Sequence, residues 1–198
     1  VAGALLFEYV ATYMYEDDTP AAERRAQALT LDRDLLRELL GQDELRDLID
    51  ADALAGLEDD LQARSERARA YSPDRLHDVL RRIGDLTSAE IADRITEPDR
   101  VDAWLTELQD ERRVAPIRLA GEERWIAAED MGRYRDGLGV MPPAGLPDAF
   151  LEPTVDARDG LIARYASTHG PFHTTDVARR IDISDQDATD ALQRSLAD

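Results

Sequence analysis

The three histidines are the first candidates for metal or acid–base chemistry. His169 and His173 are four residues apart, a spacing that would place both rings on one face of a helix. Gly170 and Pro171 lie between them and interrupt any such helix. A zinc site would also need further ligands in a tetrahedral arrangement, and the chain has no cysteine. We therefore predict a turn that a hydrogen bond from His169 closes, and no metal site.

Paired carboxylates are the next candidates, because two neighbouring acids can act as general acid and base. The chain has 43 acidic residues among 198, so pairs such as Asp17–Asp18 and Asp59–Asp60 arise by chance. A catalytic carboxyl also needs an apolar pocket that shifts its pKa, and no motif marks one. A phosphate-binding loop ending in Gly-Lys-Ser/Thr is absent, because the chain contains no lysine. We expect neither a catalytic site nor a bound cofactor in this chain.

Nucleic-acid binding is opposed by the overall charge. Twenty-four basic residues, all arginine, face 43 acidic ones, which gives a net charge of −19. Phosphates are therefore repelled from most of the surface, and binding requires a local group of arginines. The lysine-free composition fits either a GC-rich genome, the interpretation we favour, or a salt-adapted acidic surface.

Two groups of arginines are the candidate phosphate contacts. The first group is Arg24, Arg25 and Arg33; the second, around a predicted hairpin, is Arg112, Arg113, Arg118 and Arg124, with Arg81 and Arg82 on a preceding helix. The alternative for each is a weak surface ion pair with a neighbouring acid.

Aromatic side chains could stack on bases, but their neighbours favour core packing. Phe7, Tyr9 and Tyr13 do not share one helix face, and Leu and Val surround them. Trp104 stands beside Leu105 in a helical segment, where a core or domain-interface position is more typical than a wedge against nucleic acid.

The elements that must position these residues are mostly short helices. Residues 1–70 read as an all-α bundle. Its predicted helices cover residues 4–15, 21–29, 31–40, 43–49 and 53–62, with Pro20 at a first helical position and Gly41 as a stop.

Residues 73–138 show the order of a winged helix. Pro73 opens a helix to about residue 83, Thr87–Glu90 forms a capping box, and Pro98 opens a third helix to about residue 111. Two short strands follow, at 113–120 and 124–128, joined around residues 121–123. One further helix is predicted at 131–138. The third helix is acidic, which makes it a poor reader of DNA.

Residues 139–153 contain four prolines and read as a linker, in which Phe150 and Leu151 are predicted to pack against a neighbour. Residues 154–198 repeat the earlier order: a helix over 156–167, a Gly turn, a short helix capped by Thr174 or Thr175, and a helix that Ser184 caps. We interpret this segment as a second winged helix without its wing. The chain starts without Met and stops within a predicted helix, so we expect a piece of a longer protein.

Several stretches together resemble the large helicase-related (Lhr) family. Residues 8–13 (EYVATY), 18–26 (DTPAAERRA) and 31–41 (LDRDLLRELLG) resemble the end of its helicase-associated domain. Residues 73–138 resemble the first winged-helix unit beyond the helicase core, and residues 164–172 (RYASTHGPF) resemble the opening of the next unit. The resemblance covers essentially the whole chain.

The resemblance implies a non-catalytic region of an ATP-dependent 3′-to-5′ DNA helicase in DNA repair. ATP and Mg²⁺ would belong to motor domains upstream. The implied partners are the rest of the helicase, single-stranded DNA or an RNA–DNA hybrid, and a second copy through the C-terminal region, in the cytoplasm without a membrane. The implied roles are strand guidance and assembly of the C-terminal domains. Two alternatives are an independent winged-helix regulator and an acidic protein-interaction module that binds no nucleic acid.

Overall fold

The computed structural model describes residues 50–195, and residues 52–195 belong to one compact unit. The helices predicted before residue 50, together with Arg24, Arg25 and Arg33, lie outside the described residues. Within the described range, no helix is both long and apolar enough to cross a membrane.

The first half of the described chain has the winged-helix order. Its elements are α1 (Ala51–Leu61), α2 (Pro73–Ile83), α3 (Ser88–Ala92), α4 (Val101–Asp110), β1 (Val114–Leu119) and β2 (Glu122–Ala127). The predicted helix start at Pro73 is confirmed, because Pro73 begins α2. Ser72 caps this helix by accepting the Arg75 N–H. The predicted capping box of Thr87 and Glu90 begins α3.

Helices α2, α3 and α4 enclose the first core. Leu76, Leu80, Ile91 and Leu108 are fully buried there. Trp104 is 3% exposed and belongs to the same core, so the predicted packing role is confirmed. Its neighbours leave it no access to nucleic acid.

The wing is an antiparallel hairpin whose register runs from Val114 opposite Ala127 to Leu119 opposite Glu122. The turn consists of Ala120 (φ 51°) and Gly121 (φ 80°), so the prediction of a turn at residues 121–123 was wrong. Two positive φ values suit a two-residue hairpin turn, and the ladder therefore continues through Glu122. Leu86 adds a one-residue bridge to Trp125, with N···O distances of 3.0 and 2.7 Å.

Helix α5 (Met131–Leu138) follows the wing as predicted and builds a second core with it. Residues 139–153 pack against this core: Val140 is buried, and Leu146 and Leu151 contact the core side chains. Arg135 also donates to the Leu151 carbonyl at 2.6 Å. The proline-rich segment is thus part of the packed structure, as predicted for Leu151.

Three helices complete the described chain: α6 (Ala157–Thr168), α7 (Thr174–Ile181) and α8 (Asp185–Ser195). Helix α7 is capped by His173 rather than by Thr174 or Thr175, because the His173 N–H donates to the Asp176 carboxylate at 2.9 Å. Ser184 caps α8 as predicted, accepting the Asp187 N–H at 3.1 Å. The mainly helical fold with one two-stranded wing is confirmed; a second, wingless winged helix stays a prediction.

Candidate functional site

Asp85 is the centre of a buried polar network that joins the winged helix to the helices after it. The residue is 7% exposed and follows Gly84, whose φ of 104° favours glycine. Its backbone N–H donates to the Tyr134 hydroxyl at 2.8 Å, and that hydroxyl donates back to the Asp85 carboxylate at 2.9 Å. A Cβ on Gly84 would lie 2.8 Å from the same hydroxyl, so glycine is also required for space.

Two arginines share the second carboxylate oxygen of Asp85. Arg124 on β2 lies 2.7 Å from it through Nη1, and Arg180 on α7 lies 3.1 Å from it through Nε. Arg124 also donates to the Arg180 carbonyl at 2.8 Å. One carboxylate therefore connects the wing, α5 and α7.

Arg180 extends this network to α3. Its two Nη atoms lie 2.6 and 3.1 Å from the Glu90 carboxylate, and it donates to the Asp85 carbonyl as well. Burial alone would raise the pKa of Glu90, but the hydrogen bond and charge of Arg180 outweigh it and lower that pKa. Burial lowers the pKa of Arg180, but the charges of Asp85 and Glu90 outweigh it and raise that pKa. Both groups are held in their charged forms.

A second ion pair connects α6 to the segment after the wing. The two Nη atoms of Arg164 lie 2.6 and 2.9 Å from the two carboxylate oxygens of Asp130, which is a two-point contact. Burial, followed by the charge of Asp85, raises the pKa of Tyr134 well above its ordinary value of 10. The tyrosine between the two ion pairs therefore remains a neutral hydrogen-bond donor. We call Asp85, Arg124, Tyr134, Arg164 and Arg180 the joint.

A third set of contacts reaches Gln62, the residue directly after α1. Gln62 donates to the Thr168 carbonyl at 2.6 Å and accepts from Arg94 at 2.6 Å. His169 forms the predicted turn: its Nδ1 lies 2.9 Å from the Tyr165 carbonyl, and its ring stacks on Tyr165 with centroids 3.7 Å apart. Burial lowers the pKa of His169 below 6.5.

The predicted arginines of the wing do not act as one group. Arg113 is held by Asp74 at 2.6 Å and Glu111 at 3.2 Å. Arg124 is 4% exposed and belongs to the joint, so the structure does not support a phosphate contact there. Arg112 and Arg118 are exposed, and within residues 50–195 neither has an ion pair.

The other predicted candidates have structural surroundings. Arg81 pairs with Glu129 at 3.2 Å, and His77 lies 3.2 Å from the same carboxylate. Helix α4 exposes Asp102, Glu107 and Asp110 and is acidic, as predicted, while Arg100 lies in the turn just before it. In the part of the chain that the structure describes, no three His, Asp or Glu side chains converge as a metal site.

Sequence reasoning did not find the joint. Arg179 and Arg180 fit the ordinary preference for basic residues in the last turn of a helix. Asp85 directly follows Gly84, the residue that ends α2. The signal that could have marked it is a carboxylate next to a helix-terminating glycine in a chain rich in arginine, a pattern too common to be specific.

Comparisons with known proteins agree with this architecture. A family model described as the winged-helix domain of the large helicase-related protein matches residues 47–153. The chain is 45% identical over 197 residues to the "Lhr helicase/ probable uracil glycosylase" of Mycolicibacterium smegmatis, and 35% identical over 194 residues to the "Lhr helicase/uracil glycosylase" of Escherichia coli. These matches cover 100% and 98% of this chain but only 13% of each relative. The chain therefore belongs to the large helicase-related protein family and represents an accessory, winged-helix region of such a helicase.

Proposed function

We propose that this region is a rigid, non-catalytic spacer that fixes the winged helix against the following helices and so sets the placement of the C-terminal domains. The observation that carries the proposal is the joint, in which Asp85 holds two arginines from separate elements. A joint between freely moving domains would place such groups in solvent, where ion pairs are weak. Here the Arg124 and Asp85 side chains are 5% and 8% exposed.

In the complete helicase, ATP and Mg²⁺ would act at motor domains, and the spacer would guide the unwound strand toward the C-terminal half. The relatives named as helicases and glycosylases support a role in DNA unwinding and repair, and a cytoplasmic location would follow from it. An RNA–DNA hybrid as substrate and self-association through the C-terminal region are part of the same proposal. Sedimentation analysis of the chain would test the self-association.

The test of the spacer replaces Arg180 by Met. The substitution leaves Glu90 without its guanidinium partner and removes the ion pair that joins the Asp85 carboxylate to α7. Removing one partner of a buried ion pair typically costs about 3–5 kcal/mol; since Arg180 is partly exposed, we expect the lower half of that range. Urea unfolding would measure the loss, and limited proteolysis would show new cleavage between α6 and α7.

The matched control is Arg194→Met, which breaks an exposed pair with Asp159 at 2.9 Å and should cost less than about 1 kcal/mol. In the longer helicase, Arg180→Met should slow unwinding while ATP hydrolysis stays unchanged. Equal stability and equal proteolysis of the two variants would overturn the spacer role.

A second candidate function is weak contact with a nucleic-acid strand at the wing. It is favoured by Arg112 and Arg118, which are exposed and have no ion pair within residues 50–195. We expect Arg112→Ala/Arg118→Ala to lower the slope of log affinity against log salt for single-stranded DNA by about 1.4, because each phosphate contact contributes about 0.7. Fluorescence anisotropy at several salt concentrations would measure it, with Arg67→Ala/Arg69→Ala as the control pair.

The same titration, repeated with duplexes of different sequence, separates the alternatives. An independent winged-helix regulator would bind one duplex sequence in preference to others. An acidic protein-interaction module would bind no nucleic acid even at low salt.

A further inference from the structure

One polar cavity in the described structure is rich in arginine, although the chain as a whole is acidic. It lies beside the joint and has a volume of about 470 Å³. Five carboxylates and six arginines line it. The arginines are Arg64, Arg94, Arg124, Arg164, Arg179 and Arg180. The lining thus holds one more arginine than carboxylates in a chain whose net charge is −19, and two of its arginines, Arg64 and Arg164, pair with Asp59 and Asp130 outside the lining. Its size is within the range of small-ligand pockets.

Arg94 is the unusual residue in this cavity. Arg94 is 4% exposed. Both Nη atoms of its guanidinium donate to neutral oxygens: Gln62 Oε1 at 2.6 Å and the Glu90 carbonyl at 2.7 Å. Its Nε has no partner within residues 50–195. No carboxylate in that range lies within ion-pair distance of its guanidinium. A buried cation without a direct ion pair is costly, and an anion in the adjoining cavity would supply one.

The backbone holds Arg94 in this position. The Arg94 carbonyl accepts the Ala70 N–H at 2.8 Å, and the Thr96 N–H donates to the Ala70 carbonyl at 2.9 Å. The guanidinium is fixed from the other side by Gln62, which also bonds to the Thr168 carbonyl. Three separate segments of the chain therefore fix the position of Arg94.

Other arginines lie close to Arg94 and line the same cavity. Burial is the main reason that the pKa of Arg94 is lowered. The charge of Glu90 opposes this shift, and the charges of Arg64 and Arg180 add to it. Arg179 is exposed, lines the cavity and has no ion pair among the described residues. It provides a donor that a ligand at the opening could use.

We propose that this cavity binds a phosphate group, with Arg94 as the buried counter-charge and Arg179 as the contact at the opening. The phosphate could come from a single-stranded nucleic-acid backbone or from a free phosphate-bearing molecule, since the chemistry of recognition is shared. The joint forms part of the cavity wall, but the proposal does not depend on the spacer role, because the two proposed contacts, Arg94 and Arg179, lie outside the joint.

The test measures two probes on the 198-residue chain at low salt: inorganic phosphate by calorimetry, and a labelled oligothymidylate by anisotropy. We expect Arg179→Ala to weaken binding about tenfold, the loss typical of a charge-assisted hydrogen bond. Arg94→Met should abolish binding, because it removes the buried guanidinium. Its unfolding temperature is measured alongside, since the substitution also leaves Gln62 Oε1 and the Glu90 carbonyl without their donor. Arg82→Ala, an exposed arginine of α2 that does not line the cavity, is the matched control and should bind like the unaltered chain.

The two probes identify the source of the phosphate. Binding of inorganic phosphate, and its displacement of the oligonucleotide, would indicate a free phosphate-bearing ligand. Oligonucleotide binding that the Arg94 and Arg179 substitutions weaken, but that phosphate does not displace, would indicate a nucleic-acid backbone. Failure of both probes to bind, or binding that Arg179→Ala and Arg94→Met leave unchanged, would overturn the site. If Arg94→Met does not fold, Arg179→Ala against Arg82→Ala decides the question. The Arg180→Met unfolding test of the spacer would be unaffected by either result.

Discussion

At the residue scale, four charged side chains are buried among the described residues: Asp85, Arg94, Arg124 and Asp130. A surface of excess carboxylate would be expected to leave arginines in solvent, yet Arg124 and Arg180 hold a buried Asp85 between them. A guanidinium suits this position because its planar fork presents several donors to separate oxygens. Arg180 uses that property fully, since it contacts both Asp85 and Glu90.

The hydroxyl of Tyr134 is a single atom on which this arrangement depends. Tyr134→Phe removes the acceptor of the Asp85 N–H and one donor to its carboxylate, and leaves a buried N–H unsatisfied. We expect a loss of about 1–3 kcal/mol in the free energy of unfolding. Urea denaturation would measure it, with the exposed Tyr71→Phe as the control. A loss no larger than that of the control would contradict the role of the hydroxyl.

At the element scale, close approaches between helices fix their arrangement. Helix α5 meets the start of α6 at Gly137, where a Cβ would lie 2.9 Å from the Arg158 backbone nitrogen and 3.1 Å from the Ala157 carbonyl carbon. These neighbours are backbone atoms, which move less readily than a side chain. The short distance between α5 and α6 therefore depends on the absence of a side chain.

Two glycine substitutions test this packing against intrinsic helix preference. Gly137→Ala should destabilise the chain by about 1–3 kcal/mol, the usual cost of overpacking. Gly56→Ala, in α1 with nothing within 4 Å of the added Cβ, should be neutral or stabilise by up to about 1 kcal/mol. Thermal unfolding of both variants would compare them. The same direction of change in both would exclude packing as the cause at Gly137.

The elements were predictable where the signal was local. Pro73, the Thr87–Glu90 capping box and Ser184 mark helix starts through contacts within a few residues, and each prediction was confirmed. The hairpin turn was misplaced because Ala120 adopts a positive φ, which its residue type does not favour. The joint was not predictable, because Asp85 and Arg180 are 95 residues apart and nothing in either local sequence refers to the other.

At the scale of the whole molecule, the carboxylates and His169 make stability depend on pH. The folded-state pKa of Glu90 is lowered, so its contribution is present above the ordinary value of 4.5 and is lost as pH falls. The pKa of Asp136 is lowered from 3.8 to about 2, so its contribution to stability is lost as pH falls through that range. His169 also has a lowered pKa, so its contribution is present above 6.5 and is lost as pH falls below that value.

We therefore expect the urea midpoint to fall in two steps as pH decreases, one beginning near 6.5 and a second below about 4.5. His169→Gln should reduce the first step and leave the second unchanged. The exposed His173→Gln serves as the control. A first step that persists in His169→Gln would assign it to another group.

The one-residue bridge between Leu86 and Trp125 has a consequence for hydrogen exchange. Each of these residues donates its amide proton to the other across the bridge, and Leu86 directly follows Asp85. The two amide protons can exchange with solvent only when the bridge opens, and Arg124, next to Trp125, ties that opening to release of the Asp85 carboxylate. The exchange rates of these two amides would thus report the lifetime of the closed joint in the unaltered chain, without a label or a substitution.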